Sequence, residues 1–64
     1  MDNIEYGQFV DWIHGVNEGR IQPTAKQQQV LDEYRYWMND YTEQGYSYML
    51  HYRNLLRRLI QEQR

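Results

Sequence analysis

Apolar residues recur along most of this chain at the three- and four-residue spacing that marks one face of an α-helix. A first set occupies Tyr6, Phe9, Val10, Trp12, Ile13 and Val16. A second set occupies Val30, Leu31, Tyr34, Trp37, Met38 and Tyr41, and a third occupies Tyr48, Met49, Tyr52, Leu55, Leu56, Leu59 and Ile60. The pattern predicts an all-α protein, a small three-helix bundle in which each helix turns its apolar face toward a shared core.

Glycine, proline and short polar residues mark where the predicted helices end. Gly19 is predicted to end the first helix, and Pro23 prevents that helix from continuing. Thr24 and Gln27 have the spacing of a capping box, so the second helix is expected to begin directly after Thr24. The predicted helices cover about residues 4–18, 25–43 and 47–63, within a single helical domain at 1–64.

Gly45 separates two possible architectures. In the first, Gly45 adopts a left-handed conformation that ends the second helix, and Ser47 caps the third helix, which gives the three-helix bundle. However, an apolar residue or glycine occurs at every seventh position through this region, at Leu31, Met38, Gly45, Tyr52 and Leu59. An unbroken coiled-coil helix shows the same repeat. The alternative is therefore a short N-terminal helix plus one long helix at 24–63 that pairs with a second chain.

The size and composition of the chain favour self-association. A chain of 64 residues buries only a small core, and it has no cysteine with which to form disulfides. We therefore expect a homo-oligomer. No apolar run approaches the roughly 20 residues that a membrane span requires, so the expected location is cytoplasmic, with no membrane partner.

Residues with catalytic potential are few. Asp11, His14 and Glu18 share the outer face of the first predicted helix, a spacing that is far more often a solvated surface than a metal site. The sequence has no glycine-rich phosphate loop and no nucleophile elbow. We therefore expect no enzymatic activity, no catalytic or metal-binding residues and no cofactor.

Charge is distributed unevenly along the chain. Residues 1–19 contain four acidic residues and no Lys or Arg, whereas residues 46–64 contain four arginines and one acid. The arginine-rich C-terminal helix makes weak nucleic-acid binding an alternative function. The overall pI of about 5.5 argues against it, because nucleic-acid-binding domains are usually strongly basic.

Tyr36, Tyr46 and Leu50 depart from the amphipathic pattern, because they are apolar or amphipathic where the pattern calls for polar side chains. Arg53 and Arg57 adjoin the last two, and all five residues are predicted to bind a partner. All of them except Tyr36 follow one flank of the third predicted helix, and tyrosine and arginine are enriched at protein-binding hot spots. The leading hypothesis is a small non-catalytic protein that binds another protein with an acidic surface. Such a protein would serve as an adaptor, assembly factor or inhibitor, for example of the kind that phages carry. A purely structural homo-oligomer is the remaining alternative.

Overall fold

In the computed structural model, which describes residues 4–62, the chain folds into three helices joined by short turns. They are α1 (Tyr6–Asn17), α2 (Ala25–Met38) and α3 (Glu43–Glu62). No strand occurs in the described residues. The predicted three-helix bundle is confirmed, and the alternative of one long helix over 24–63 is wrong because residues 39–42 leave the helical path. Residue 63, where the third helix was predicted to end, lies outside the described residues.

The core draws side chains from all three helices and from the segment before α1. Within residues 4–62 its buried apolar members are Ile4, Phe9, Val30, Leu31, Tyr34, Leu56 and Ile60. The backbones of α2 and α3 approach each other most closely, as expected for two helices joined by a short turn. α1 covers this pair through larger side chains: the Phe9 ring meets the Tyr34 ring edge-on, with 5.7 Å between centroids.

The end of α1 forms a Schellman motif. Gly19 has a positive φ of 80°, and its N–H donates to the Val16 carbonyl at 3.2 Å. The N–H of Arg20 donates to the Gly15 carbonyl at 2.8 Å, which satisfies a second carbonyl at the helix end. The predicted stop at Gly19 is confirmed, although α1 begins two residues later than predicted.

The beginning of α2 also follows the prediction. The Gln27 N–H donates to the Thr24 hydroxyl oxygen at 3.1 Å, and the Thr24 N–H donates to the Gln27 side-chain oxygen at 2.8 Å. This reciprocal pair is the capping box read from the sequence. It also explains why Gln27, a polar residue, is almost completely buried.

The turn between α2 and α3 corrects the predicted break at Gly45. α2 ends at Met38 rather than near residue 43, and α3 begins at Glu43 rather than at residue 47. Thr42, not Ser47, caps α3, because its hydroxyl oxygen accepts the Gly45 N–H at 3.0 Å. Gly45 therefore lies in the first turn of α3, and it lacks the positive φ that a left-handed helix end requires.

Glycine is needed at position 45 because the turn packs directly against it. A Cβ atom on Gly45 would lie 2.7 Å from the Asp40 carbonyl oxygen and 2.5 Å from the Asp40 Cγ. Neither distance is tolerated between real atoms without movement of the backbone or the carboxylate. The missing side chain thus allows the turn to approach the start of α3.

Several residues predicted to face the core are exposed instead. Tyr41 lies in the turn and is 93 % exposed, while Met38 at the last position of α2 is 47 % exposed. Tyr6 and Tyr48 also have exposed side chains. The helical spacing continues through these positions in the sequence, but the helix that would have turned Tyr41 inward ends before reaching it.

The Gly45→Ala variant is expected to unfold more readily than the wild type, by about 1–3 kcal/mol, because the new methyl group overpacks the contact with Asp40. Gly7→Ala is the matched control, since a Cβ there meets no atom within 4 Å. We expect that control to gain about 0.4–1 kcal/mol in stability through the reduced freedom of the unfolded chain. Urea denaturation followed by circular dichroism measures both. A stabilised Gly45→Ala protein would contradict the close approach.

Candidate functional site

The five residues predicted to bind a partner do not form one exposed strip. Tyr36 on α2 and Tyr46 on α3 are both exposed, Tyr46 by 58 %, whereas Leu50, Arg53 and Arg57 are partly buried. Within residues 4–62, no hydrogen bond or ring contact joins Tyr36 to the other four. The predicted surface therefore divides into separate parts with different surroundings.

Arg57 holds the N-terminal segment of the molecule in place. Its Nε and Nη2 atoms donate to the Ile4 carbonyl oxygen at 3.1 and 2.6 Å. Ile4 itself is a buried member of the core. These charge-assisted hydrogen bonds connect the segment that precedes α1 to α3, so the guanidinium group contributes to the fold.

Arg53 contacts Tyr6, the first residue of α1. Its guanidinium carbon lies 5.7 Å from the centroid of the Tyr6 ring, in the range of a cation–π contact. Its Nε is buried and makes no hydrogen bond within the described residues. Burial raises the pKa of the nearby Tyr34 hydroxyl, and the Tyr6 hydroxyl raises it further. The positive charge of Arg53 lowers the same pKa. Arg53 therefore lies at the edge of the core.

A different group of aromatic side chains remains uncovered where α2 meets α3. The Trp37 ring stacks on the Tyr48 ring, with 4.6 Å between centroids and 26° between planes. Trp37 also meets the Tyr36 ring edge-on, with 5.0 Å between centroids. Tyr36 is 67 % exposed and Tyr48 is 40 % exposed. We call Tyr36, Trp37, Tyr41 and Tyr48 the aromatic surface.

Two open grooves border the aromatic surface. One, of about 400 Å³, is lined by Tyr36, Asn39, Asp40 and Tyr41. The other, of about 480 Å³, is lined by Gln44, Ser47, Tyr48 and His51. Tyr36 lines the first groove and Tyr48 lines the second, and the Trp37 ring contacts both of these tyrosines.

The turn at residues 39–42 creates this surface. It places the last turn of α2 beside the first turns of α3, so Trp37 reaches Tyr48 although eleven positions separate them. Sequence periodicity assigned Trp37, Tyr41 and Tyr48 to the core and left only Tyr36 outside. Residues 39–42 (Asn-Asp-Tyr-Thr) contained the missed signal, because Asn and Asp favour turns and Thr favours the helix N-cap.

Asp40 supplies a fixed negative charge beside the aromatic rings. Its Oδ1 accepts the Thr42 N–H at 3.0 Å and the Thr42 hydroxyl at 2.7 Å. The bond from the Thr42 backbone, followed by that from its hydroxyl, lowers the pKa of Asp40 from the ordinary value of 3.8. The carboxylate is therefore ionised at neutral pH and held in one orientation.

Metal-binding geometry is lacking in residues 4–62, where no three His, Cys, Asp or Glu side chains are placed to share an ion. The spacing of Asp11, His14 and Glu18 is interrupted because α1 ends at Asn17. The Glu18 carboxylate instead pairs with Arg20 Nε at 2.7 Å. Across the same residues, none of the helices combines the length and apolar character needed to cross a membrane.

The chain was compared with protein-family models, with curated proteins and with solved structures, and none of them matches.

The Arg57→Ala variant is expected to lose about 1–3 kcal/mol of stability, because removing the guanidinium leaves the partly buried Ile4 carbonyl without its charged donor. Arg58→Ala is the matched control, because Arg58 is a neighbouring exposed arginine on α3 and should change stability by no more than about 0.5 kcal/mol. Chemical denaturation of both variants measures the difference. Equal stabilities would mean that Arg57 is free to bind a partner.

The lowered pKa of Asp40 predicts a specific pH dependence. The native state holds this proton less tightly than the unfolded state, so the ionised carboxylate stabilises the fold above the unfolded pKa. This stabilisation is lost as the pH falls through the folded pKa. Asp40→Asn keeps a side-chain oxygen for Thr42 but removes the charge. We expect its melting temperature to lie below that of the wild type at neutral pH, and the gap to narrow below about pH 4. A gap independent of pH would contradict this assignment.

Proposed function

We propose that this chain is a small non-catalytic helical protein that binds another protein through the aromatic surface. The observation that carries the proposal is the ring cluster at the junction of α2 and α3, in which the half-buried Trp37 contacts the exposed Tyr36 and Tyr48. Tryptophan and tyrosine dominate the residues whose truncation weakens protein–protein complexes. Their rings offer large contact area at a small cost in conformational entropy, and the Tyr hydroxyls add hydrogen bonds at the rim.

The geometry favours this surface over the flank of α3 predicted from the sequence. That flank depended on Arg53 and Arg57 to contact an acidic partner, but Arg53 faces Tyr6 and Arg57 binds the Ile4 carbonyl. Tyr46 on that flank makes no contact with another aromatic ring in the described residues. In the aromatic surface, by contrast, the Trp37 ring contacts both Tyr36 and Tyr48, and Tyr41 lines a groove together with Tyr36.

The same contacts reduce the support for nucleic-acid binding. A phosphate-binding surface on α3 needs several free arginines, yet two of the three described there contact the N-terminal part of the molecule. Arg58 is the exposed one. One free arginine beside His51 neutralises few phosphates.

Affinity capture tests the proposed function. The wild-type chain, tagged and incubated with lysate of its native host, should retain a specific partner that the double variant Tyr36→Ser, Tyr48→Ser retains at least about tenfold less, because hot-spot truncations cost about 2 kcal/mol or more. Tyr46→Ser is the matched control, as it removes an exposed tyrosine from the other flank of α3. Circular dichroism should show that both proteins are folded.

Each outcome of the capture experiment has a distinct meaning. Loss of the partner in the Tyr46→Ser variant alone would contradict the aromatic surface and favour the flank predicted from the sequence. Recovery of only untagged copies of the chain, co-expressed for this purpose, would favour the structural homo-oligomer. Capture that disappears at moderate salt and requires nucleic acid would favour the nucleic-acid alternative.

A further inference from the structure

We infer that the groove between Tyr36 and Tyr41 receives a lysine or arginine side chain from a basic segment of the partner protein. This inference depends on the proposed function and specifies the chemistry of the partner. It reverses the acidic partner expected from the sequence, because the arginines that supported that expectation are engaged within the molecule.

The walls of the groove suit a cation. Tyr36 and Tyr41 line it from α2 and from the turn, and both rings are largely exposed. The face of an aromatic ring carries the negative part of its quadrupole and attracts an ammonium or guanidinium group within about 6 Å. The volume of about 400 Å³ is ample for the end of a long basic side chain.

Asp40 also lines this groove, and its carboxylate is held in a defined position. Its Oδ1 is occupied by the two bonds from Thr42, whereas its Oδ2 accepts no hydrogen bond within residues 4–62. The side chain also packs against Gly45, which restricts its movement further. A carboxylate that is already ordered loses little entropy when it binds a cation, and a charge-assisted hydrogen bond to it is correspondingly strong.

The surrounding charges point to the same kind of partner. Asp32 and Glu33 precede Tyr36 by four and three positions on α2, so they lie one turn away on the same side of that helix. The nearest basic residue in sequence, Arg35, donates instead to the Asn17 side chain of α1. Lys26 lies at the other end of α2, roughly 15 Å along the helix axis from Tyr36.

Titration with short peptides, followed by amide chemical shifts in ¹⁵N-labelled protein, tests the inference. The probe is an acetylated and amidated peptide of alternating lysine and glycine, and its control replaces each lysine by glutamate. We expect the lysine peptide to shift the signals of Tyr36, Asp40 and Tyr41 in a saturable manner. The glutamate peptide should leave these signals unchanged.

Two variants establish which groups bind the cation. Asp40→Asn keeps an oxygen for Thr42 but removes the charge, so it should lower the affinity for the lysine peptide about fivefold or more. Tyr41→Ala, at a turn position that is 93 % exposed, should lower this affinity about two- to fivefold. Tyr46→Ala, on the other flank of α3, should bind as the wild type does.

Equal binding of both peptides, unchanged binding by Asp40→Asn and Tyr41→Ala, or the absence of shifts at the groove would each overturn the inference. None of these results would affect the capture experiment with Tyr36→Ser and Tyr48→Ser, which makes no assumption about the charge of the partner. Failure of the cation site is thus distinguishable from failure of the proposed function.

Discussion

The contact between Asp40 and Gly45 determines how the two longer helices of this protein are joined. The Asp40 carbonyl and carboxylate occupy the space that a side chain at position 45 would fill. Thr42 then bonds to the Asp40 carboxylate and caps α3 through the Gly45 N–H. A turn of four residues is thereby sufficient to connect α2 and α3 and to place Trp37 against Tyr48. By pairing α2 with α3 as a helical hairpin, the same turn positions both the buried residues of these helices and the exposed rings of the aromatic surface.

α1 is attached to this hairpin in a different way. Its backbone does not approach the other helices as closely as α2 and α3 approach each other, and it is connected through side chains. Phe9 reaches Tyr34 in the core, and Arg57 reaches back from α3 to the Ile4 carbonyl. A chain of this size has a small core, so each of these attachments contributes a large share of a modest total stability.

Features that depend on neighbours in sequence were predictable, and those that depend on distant contacts were not. The Thr24–Gln27 capping box and the stop at Gly19 each involve residues within one helical turn, and both were read correctly. The role of Gly45 was predicted wrongly because the sequence does not distinguish a glycine that ends a helix from one that another part of the backbone packs against. The bond from Arg57 to Ile4 joins residues 53 positions apart, and no periodicity reports such a contact.

The two tryptophans of the chain lie on opposite parts of this architecture, one on α1 and one at the α2–α3 junction. Trp12 is partly buried and packs against the core, while Trp37 stacks on Tyr48 and meets Tyr36 edge-on. The indole emission of the protein therefore combines two local signals with different surroundings. With Trp12 replaced by phenylalanine, the remaining fluorescence would come from Trp37 alone, and the molecule would contain its own optical reporter at the surface where a partner is expected to bind.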